Sequence, residues 1–479
     1  MIHSFDYCVK STGDVGVVVE VNGFLVKVTG LACGVIGEGV TFETGDHGRI
    51  MTLGQTTTEI LVLSRTTLAP GTRCSRSGKQ LTVSCGTGLL SEVINGLGHM
   101  LSTKKMPSKD SENRPIEIAP AGMTKRTPVD TFLETGIAAI DLVVPIGRGQ
   151  RELVIGDRTT GKTHALLQIV AMQAKLGTIC IWAAIGKRKS DIKAVEAFLK
   201  SNGALKNTLI VATDSYAAPG EIFLTPYTAM TFAEYFRDQG HDVLLILDDL
   251  TTHAKYYREI SLLSGQFPGR ESYPGDIFHI HSKLLERAGS YNIHGKPVTI
   301  TCLPVAESSS GDMVGYIQTN LMSMTDGHLY FDSDMYFRGV RPALNVFLSV
   351  TRVGRQTQSQ LLRDVGKSAL ATLKKYENAQ SFLRFGPDIS AELQEVIRLG
   401  DHITEFFDQT GSWSMPNPLA IVLFTLITIH DWDGSGGQRI ANRYETDVKY
   451  RSAIHTLLAK ATSMNDLIAT VQKENTIIV

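Results

Sequence analysis

The stretch GDRTTGKTH, from Gly156 to His164, has the residue types and spacing of a phosphate-binding loop. Within it, the segment that ends at Thr163 matches the pattern GxxxxGK[ST]. Glycines let such a loop wrap closely, so that its backbone N–H groups point inward at phosphate oxygens. The residues predicted to contact a nucleotide are Gly156, Asp157, Arg158, Thr159, Thr160, Gly161, Lys162 and Thr163.

Two side chains of this loop are suited to different tasks. The Lys162 ammonium would reach the β- and γ-phosphates, and the Thr163 hydroxyl would bind Mg²⁺. The helix that starts near Gly161 adds the positive end of its dipole. A chance match to the motif is the alternative. Chance matches that also have an apolar strand before the motif and a helix pattern after it are less frequent. The sequence therefore predicts a nucleotide-binding site.

A second candidate is the run VLLILDD, from Val243 to Asp249. A run of apolar residues that ends with an acidic residue is typical of a buried strand. Ligands bind at the carboxyl edge of open α/β sheets. We therefore expect Asp248 to hold Mg²⁺, through water. The alternative is an aspartate that caps a helix before Thr251.

Three regions with different sequence patterns must position these residues. Residues 1–76 contain short valine-rich strands, with a hairpin signal at Asn22-Gly23, and predict a small barrel or sandwich. In residues 77–357, apolar strands alternate with helical patterns from Thr135 onward, which predicts a parallel sheet covered by helices. Residues 358–479 contain helical patterns only. The predicted fold class is a multidomain β, then α/β, then α chain.

Composition excludes several classes of function. The chain has 479 residues and a formal net charge of −1, so no basic field would collect nucleic acid. Its six cysteines are scattered and form no CxxC pair, which gives no sign of a zinc site or disulfide framework. The opening residues carry charges and lack a long apolar run. We expect no signal peptide and no direct membrane insertion, so any membrane contact would come through partners.

Four segments resemble the alpha subunit of F-type ATP synthases: GRGQRELVIGDRTTGKT, PGRESYPGDIFHIHSKLLERAG, TNLMSMTDGHLYF and GVRPALNVFLSVTRVG. The resemblance covers nearly the whole chain. It implies an N-terminal β-barrel, a P-loop (RecA-like) nucleotide-binding domain and a C-terminal helical bundle. It also implies a ring of three alpha and three beta subunits around a central gamma stalk. Such a ring lies at the cytoplasmic face of the cell membrane, or at the inner face of an organellar membrane.

The resemblance also implies roles for single residues. Alpha-type sites bind Mg-ATP without turning it over, whereas the beta-type sites make or split ATP. Arg352 matches the arginine that alpha subunits extend into the neighbouring catalytic site, although an arginine pairing with a nearby carboxylate at a strand end is the alternative. Gln409 matches, more loosely, a contact to the adenine ring. Thr159 stands where the family usually has glutamine.

Lys187, in AAIGKRKS, decides whether the chain's own site is catalytic. Catalytic relatives have a glutamate at this position that activates the attacking water, and alpha subunits usually have glutamine. A charged lysine offers three donors and no acceptor, so it cannot act as that base. We therefore expect nucleotide binding with little or no hydrolysis. A solvated surface lysine is the alternative, and it leaves the base absent as well.

One departure from the family pattern keeps other functions open. Alpha subunits carry a segment before the barrel that docks a peripheral-stalk subunit, whereas here the barrel is expected to begin near Gly13, so that contact is left open. The chain could also serve an F-type-derived ATPase motor that is not coupled to proton transport. A third hypothesis is an autonomous hexameric P-loop ATPase, which would need a base of its own. A neighbouring gene for a beta-type chain would favour the first two hypotheses over the third.

Overall fold

The computed structural model describes residues 4–101, 111–309, 311–383, 390–410, 414–429 and 434–473. It divides into two compact units that interleave along the chain. The first unit comprises Met1–Pro128, Gly149–Ile155 and Gln173–Thr325. The second unit comprises Val129–Arg148, Gly156–Met172 and Asp326–Val479.

The strands of the described residues are β1 (Gly16–Asn22), β2 (Leu25–Thr29), β3 (Glu38–Phe42), β4 (His47–Leu53), β5 (Thr58–Val62), β6 (Arg73–Gln80), β7 (Thr82–Cys85), β8 (Val93–Ile94), β9 (Glu112–Pro115), β10 (Phe132–Leu133), β11 (Ile146–Gly147), β12 (Glu152–Gly156), β13 (Ile179–Lys187), β14 (Thr208–Asp214), β15 (Val243–Asp248), β16 (Gly289–Ile293), β17 (Lys296–Glu307), β18 (Gly327–Phe331) and β19 (Val350–Thr351).

The α-helices of the same residues are α1 (Phe5–Thr12), α2 (Ala138–Val143), α3 (Lys162–Lys175), α4 (Lys189–Ser201), α5 (Pro219–Asp238), α6 (Leu250–Leu263), α7 (Ile277–Leu285), α8 (Tyr316–Met324), α9 (Ser333–Phe337), α10 (Gly354–Thr357), α11 (Gln360–Leu383), α12 (Ala391–Phe407), α13 (Asn417–Thr428), α14 (Gly434–Thr446), α15 (Val448–Lys460) and α16 (Met464–Lys473).

The first unit opens with α1, followed by a closed barrel of strands in the order β1-β2-β5-β4-β3-β6. The turn between β1 and β2 contains Gly23 at a φ of 62°, a left-handed conformation that glycine adopts without steric cost. Apolar side chains fill the barrel, with Phe42, Ile50 and Ile60 fully buried. The barrel predicted from the valine-rich strands is confirmed, and its last strand continues to Gln80.

The rest of the first unit is built on a mainly parallel sheet. Its strands lie in the order β12-β17-β15-β13-β14-β8, and β16 pairs antiparallel with β17. The neighbouring pairs β13–β14, β13–β15, β15–β17 and β14–β8 are all parallel. β15 is buried along its whole length, as expected for a strand covered on both faces. The parallel arrangement brings the carboxyl ends of β13, β15 and β17 to one edge.

The second unit is mainly helical and contains α9 to α16, with β18 and β19 paired antiparallel. Within it, α13 is the most apolar helix, and its residues from Leu419 to Ile427 are all buried. The predicted C-terminal helical region is therefore confirmed. Across the part of the chain that the structure describes, no helix is both long and apolar enough to cross a membrane.

One of the six cysteines differs from the others in solvent exposure. Cys33 is exposed, whereas Cys8, Cys74, Cys85, Cys180 and Cys302 are buried. Burial raises the pKa of the Cys74 thiol and of the Cys85 thiol to about 12.

Candidate nucleotide-binding site

The predicted phosphate-binding loop lies between β12 and α3, and from Gly156 onward it belongs to the second unit. Gly156 has no space for a side chain, because an added Cβ would overlap the backbone carbonyl of Phe331 and lie 2.8 Å from the Phe331 Cβ. Gly161 adopts a φ of 85°, which favours glycine. Thr159 adopts a φ of 65°, an uncommon conformation for a β-branched residue. The loop is therefore tightly turned at its centre and closely packed at its start.

Internal hydrogen bonds hold the loop in this shape. The Thr160 hydroxyl donates to the Asp157 carbonyl at 2.8 Å, and its side chain is buried. The Lys162 ammonium donates to the carbonyls of Gly156 and Asp157 at 2.7 and 2.5 Å. Lys162 thus folds back onto the start of the loop, where its ammonium contacts two backbone carbonyls.

Other residues of the loop face solvent. Arg158, Thr159 and Thr163 are exposed, and Thr163 is the second residue of α3. A hydroxyl in the first turn of a helix, beside the orphan N–H groups of that turn, is well placed for an anion and its metal.

The carboxyl edge of the sheet in the first unit carries one ammonium that contacts two carboxylates. Lys187 is the last residue of β13, and Asp248 is the last residue of β15. The Lys187 ammonium lies 2.6 Å from Oδ1 of Asp248 and 2.8 Å from Oδ2 of Asp249. Both aspartates are buried, so Lys187 is not the solvated surface lysine of the alternative interpretation.

The helix-capping role belongs to Asp249 and not to Asp248. Asp249 is the N-cap of α6, and its Oδ1 accepts a hydrogen bond from the Thr252 N–H at 2.6 Å. Its Oδ2 accepts from the Thr252 hydroxyl at 3.1 Å as well as from Lys187. A helix-capping aspartate before Thr251, the alternative that the sequence left open, is therefore present at Asp249.

The negative charges of Asp248 and Asp249 stabilise the positive charge of Lys187. Burial disfavours the charged form of Lys187, but the charges of Asp248 and Asp249 and their hydrogen bonds outweigh burial and raise its pKa above the ordinary value. Lys187 is therefore a cation throughout the physiological pH range, and it has no lone pair to offer to a water molecule.

Arg352 lies in the second unit, directly after β19, and its side chain is exposed. Its backbone N–H donates to the Asp326 carbonyl at 3.0 Å, which fixes the position of the chain at the strand end. Burial lowers the pKa of His328, and the nearby charge of Arg352 lowers it further.

Gln409, also in the second unit, is buried, and both ends of its side-chain amide bind backbone. Its Oε1 accepts from the Ala138 N–H at 2.7 Å, and its Nε2 donates to the Gly136 carbonyl at 3.0 Å. These contacts give Gln409 a clear structural role in joining the segment before α2 to the chain after α12.

Sequence reasoning missed one acidic residue at the sheet edge of the first unit, and it did not foresee the ion pair between Asp249 and Lys187. The missed residue is Glu307, the last residue of β17, whose backbone N–H donates to the Thr251 hydroxyl at 3.0 Å. A signal for it was present, because parallel neighbouring strands that end in charged residues must bring those residues to the same edge.

Comparison with known proteins gives consistent matches. Residues 136–351 match the ATP synthase alpha/beta family, nucleotide-binding domain. The chain is 38 % identical over 450 residues to an ATP synthase subunit alpha from Caldanaerobacter subterraneus subsp. tengcongensis, which covers 94 % of this chain and 86 % of that protein. It is 37 % identical to the ATP synthase subunit alpha of Ruthia magnifica, over 85 % of this chain and 82 % of the relative. The ATP synthase subunit alpha of Dichelobacter nodosus is 36 % identical, over 85 % of this chain and 82 % of that protein.

Proposed function

Because the chain belongs to the alpha subunits of the F-type ATP synthases, we propose that it is the regulatory, ATP-binding alpha-type subunit of a rotary ATP synthase head. In this role it alternates with a catalytic beta-type subunit in a six-membered ring around a gamma stalk. The ring is peripheral to the membrane, at its cytoplasmic face or at the inner face of an organellar membrane, and its turnover is coupled to proton transport.

The nucleotide, ATP or ADP, binds at the loop from Gly156 to Thr163. Several features support this: the complete motif, the tight turn at Gly161, the ammonium of Lys162 held over the loop and the start of α3 directly after it. Backbone N–H groups and the helix dipole bind the phosphates without regard to the base. The base contact proposed for Gln409 requires its amide to exchange its two backbone partners for the ligand.

Mg²⁺ is the cofactor that the family implies, with Thr163 and Asp248 as the residues that would hold it. Thr163 fits this task, because its hydroxyl is exposed in the first turn of α3. Asp248 fits it poorly, because its carboxylate is already paired with the Lys187 ammonium at 2.6 Å. When bound, Mg²⁺ neutralises charge on the β- and γ-phosphates.

The site of this chain holds its nucleotide without turnover. Hydrolysis requires a group that accepts a hydrogen bond from the attacking water, and loss of a positioned base typically costs roughly 10²–10⁴ in rate. The single observation that carries this proposal is Lys187, a cation bound to Asp248 and Asp249 at the strand end where the catalytic relatives have their base.

Arg352 serves the catalytic site of the neighbouring beta-type subunit. Its exposure at a strand end allows a guanidinium to reach beyond its own chain, and such arginines are worth roughly 10³–10⁵ in turnover. The planar five-donor fork of arginine matches phosphate oxygens better than lysine does. A peripheral-stalk subunit is a further proposed partner of the assembled head.

The test uses this chain alone and together with a beta-type chain. We expect the isolated chain to bind ATP and show almost no hydrolysis, and the mixture to form a hexamer that hydrolyses ATP. Brisk turnover by the isolated chain would favour the autonomous ATPase instead. If the full complex in membrane vesicles hydrolysed ATP without acidifying them, the uncoupled motor would be the better assignment.

A further inference from the structure

The imidazole of His328 lies beside Arg352, the residue proposed to act in the catalytic site of the neighbouring subunit. We propose that His328 is a positioning residue for Arg352: the neutral ring leaves the guanidinium in its working place, and the protonated ring displaces it. This role rests on the proposed function of Arg352 in trans and makes that function sensitive to pH. Both residues belong to the second unit.

The register of β18 against β19 puts His328 and Arg352 on the same face of this antiparallel pair. His328 lies opposite Val350. The pairing continues past the strand end, where the Arg352 N–H donates to the Asp326 carbonyl at 3.0 Å. Because side chains two residues apart on a strand share a face, Arg352 lies opposite Asp326 and diagonal to His328. Diagonal neighbours are about 7–8 Å apart, which an aromatic ring and a long side chain can bridge.

A hydrogen bond to the backbone holds the His328 ring in place. Its Nε2 lies 2.9 Å from the Leu348 carbonyl oxygen, which can only accept, so Nε2 carries a proton. In the neutral ring Nδ1 is therefore unprotonated, and acid adds the second proton there without breaking the bond to Leu348. Because His328 is half-buried and Arg352 is exposed, the repulsion that follows is relieved by movement of the Arg352 side chain.

Among the residues that the structure describes, Arg352 is the charged side chain that acts on His328. Residues 345–349, the segment that accepts the ring's hydrogen bond, carry no charge, and Asp326 and Tyr330 are the ionisable residues on its own side of the pair. Burial lowers the pKa of His328 below its usual value, and the guanidinium lowers it further. The ring is thus neutral at pH 7 and becomes a cation only in acid. Two unit charges about 7 Å apart near a protein surface repel by the equivalent of a factor of roughly three to fifty.

The first experiment follows kcat for ATP hydrolysis by the assembled hexamer between pH 8 and pH 5. His328→Gln keeps a donor for Leu348 and cannot become charged, so it should equal the wild type at pH 8 and lose about tenfold less kcat on acidification. His328→Lys carries a charge throughout and should lose about tenfold in kcat already at pH 8. KM for ATP should change little in both, because a displaced arginine weakens binding of the transition state. His402→Gln, which replaces a half-buried histidine on α12 of the same unit, should keep the wild-type profile.

A second experiment needs neither a partner subunit nor turnover. The titration of His328 is followed by NMR in the isolated chain, through the histidine resonance that disappears in His328→Gln. Arg352→Gln should move the midpoint of this titration to higher pH by about 0.5 or more, because the nearby positive charge is gone. Arg355→Gln, which removes another exposed arginine of the same segment, should leave the midpoint unchanged. An unmoved midpoint in Arg352→Gln would overturn the inference.

The variants also separate the role of His328 from the function of Arg352 on which it rests. If Arg352→Ala lowers turnover but His328→Gln shows the same acid loss as the wild type, the role in trans stands and the positioning role is wrong. A fall of kcat in His328→Gln at pH 8 would show that the ring is needed for the structure alone, and it would equally count against the positioning role. If Arg352→Ala leaves turnover unaltered, both the proposed function of Arg352 and the role of His328 fail.

Discussion

Acidification should destabilise the first unit through two buried histidines, His253 on α6 and His281 on α7. The His253 Nε2–H donates to the Phe223 carbonyl at 3.1 Å, and in the neutral ring that its lowered pKa favours, Nδ1 accepts. The partner of that nitrogen is His281 Nε2, at 3.1 Å, which must therefore donate. His281 Nδ1 is then an unprotonated acceptor, and it is buried without a hydrogen-bond partner. Both rings are neutral in this arrangement.

Protonation of either ring is unfavourable in the folded chain. Burial lowers the pKa of His253 to about 4, and burial together with the neighbouring His253 lowers the pKa of His281 well below its usual value. In the unfolded chain both rings take up protons below about pH 6.5. Stability is therefore fully present above that pH and is lost as the pH falls toward the folded pKa values. Integrated between about pH 7 and pH 5, the loss is about 2 kcal/mol per histidine, or about 4 kcal/mol for the pair.

The assay is urea unfolding followed by the fluorescence of Trp182, which is buried in β13. Trp413 and Trp432 are replaced by phenylalanine in every variant, so that Trp182 alone reports. We expect the double variant His253→Gln/His281→Leu to lose about 4 kcal/mol less than its parent over the same pH interval.

The control is His279→Gln, which replaces an exposed histidine on α7 and should leave the pH dependence unchanged. An equal loss of stability in the parent and in the double variant would refute the neutral pair of buried rings.

Three other substitutions test the site. Arg352→Ala should lower ATP turnover of the assembled hexamer by about 10³ or more while this chain's own ATP affinity stays the same, and Arg355→Ala should change neither; unaltered turnover would contradict a role in trans. Lys162→Ala should weaken ATP binding to the isolated chain by at least about tenfold in calorimetry, and undiminished affinity would place the nucleotide elsewhere. Gly156→Ala should lower the free energy of unfolding by about 1–3 kcal/mol, because the added methyl group overlaps the Phe331 backbone. Gly122→Ala should leave the free energy of unfolding unchanged, because a methyl group there meets nothing within 4 Å.

The sequence was informative where local chemistry decides the structure. Valine-rich strands with Asn22-Gly23 between two of them predicted the closed barrel, and alternating apolar runs predicted the parallel sheet. Because strand direction in such a sheet is set by the crossover helices, the common edge of β13 and β15 was predictable as well. The glycines of the phosphate-binding loop were recognisable from spacing alone, since their backbone shape allows few other residues.

The contacts between side chains were not predictable in the same way. The pairing of Lys187 with Asp248 depends on the register of β13 against β15, in which Ala184 lies opposite Asp248. A slip of one residue would turn the lysine to the other face of the sheet. Likewise, nothing local to Gln409 indicates that its amide binds the backbone near Gly136, far away along the chain. Such partners are set by packing, which a single sequence does not contain explicitly.

The distribution of thiols has a practical consequence. A maleimide dye reacts with accessible thiolates. Burial keeps the dye away from the five interior cysteines and keeps their thiols protonated. One fluorophore would therefore attach to the native polypeptide, at Cys33, without any engineered site. In a ring with three copies of this subunit, that label would report assembly stoichiometry by counting bleaching steps in single particles.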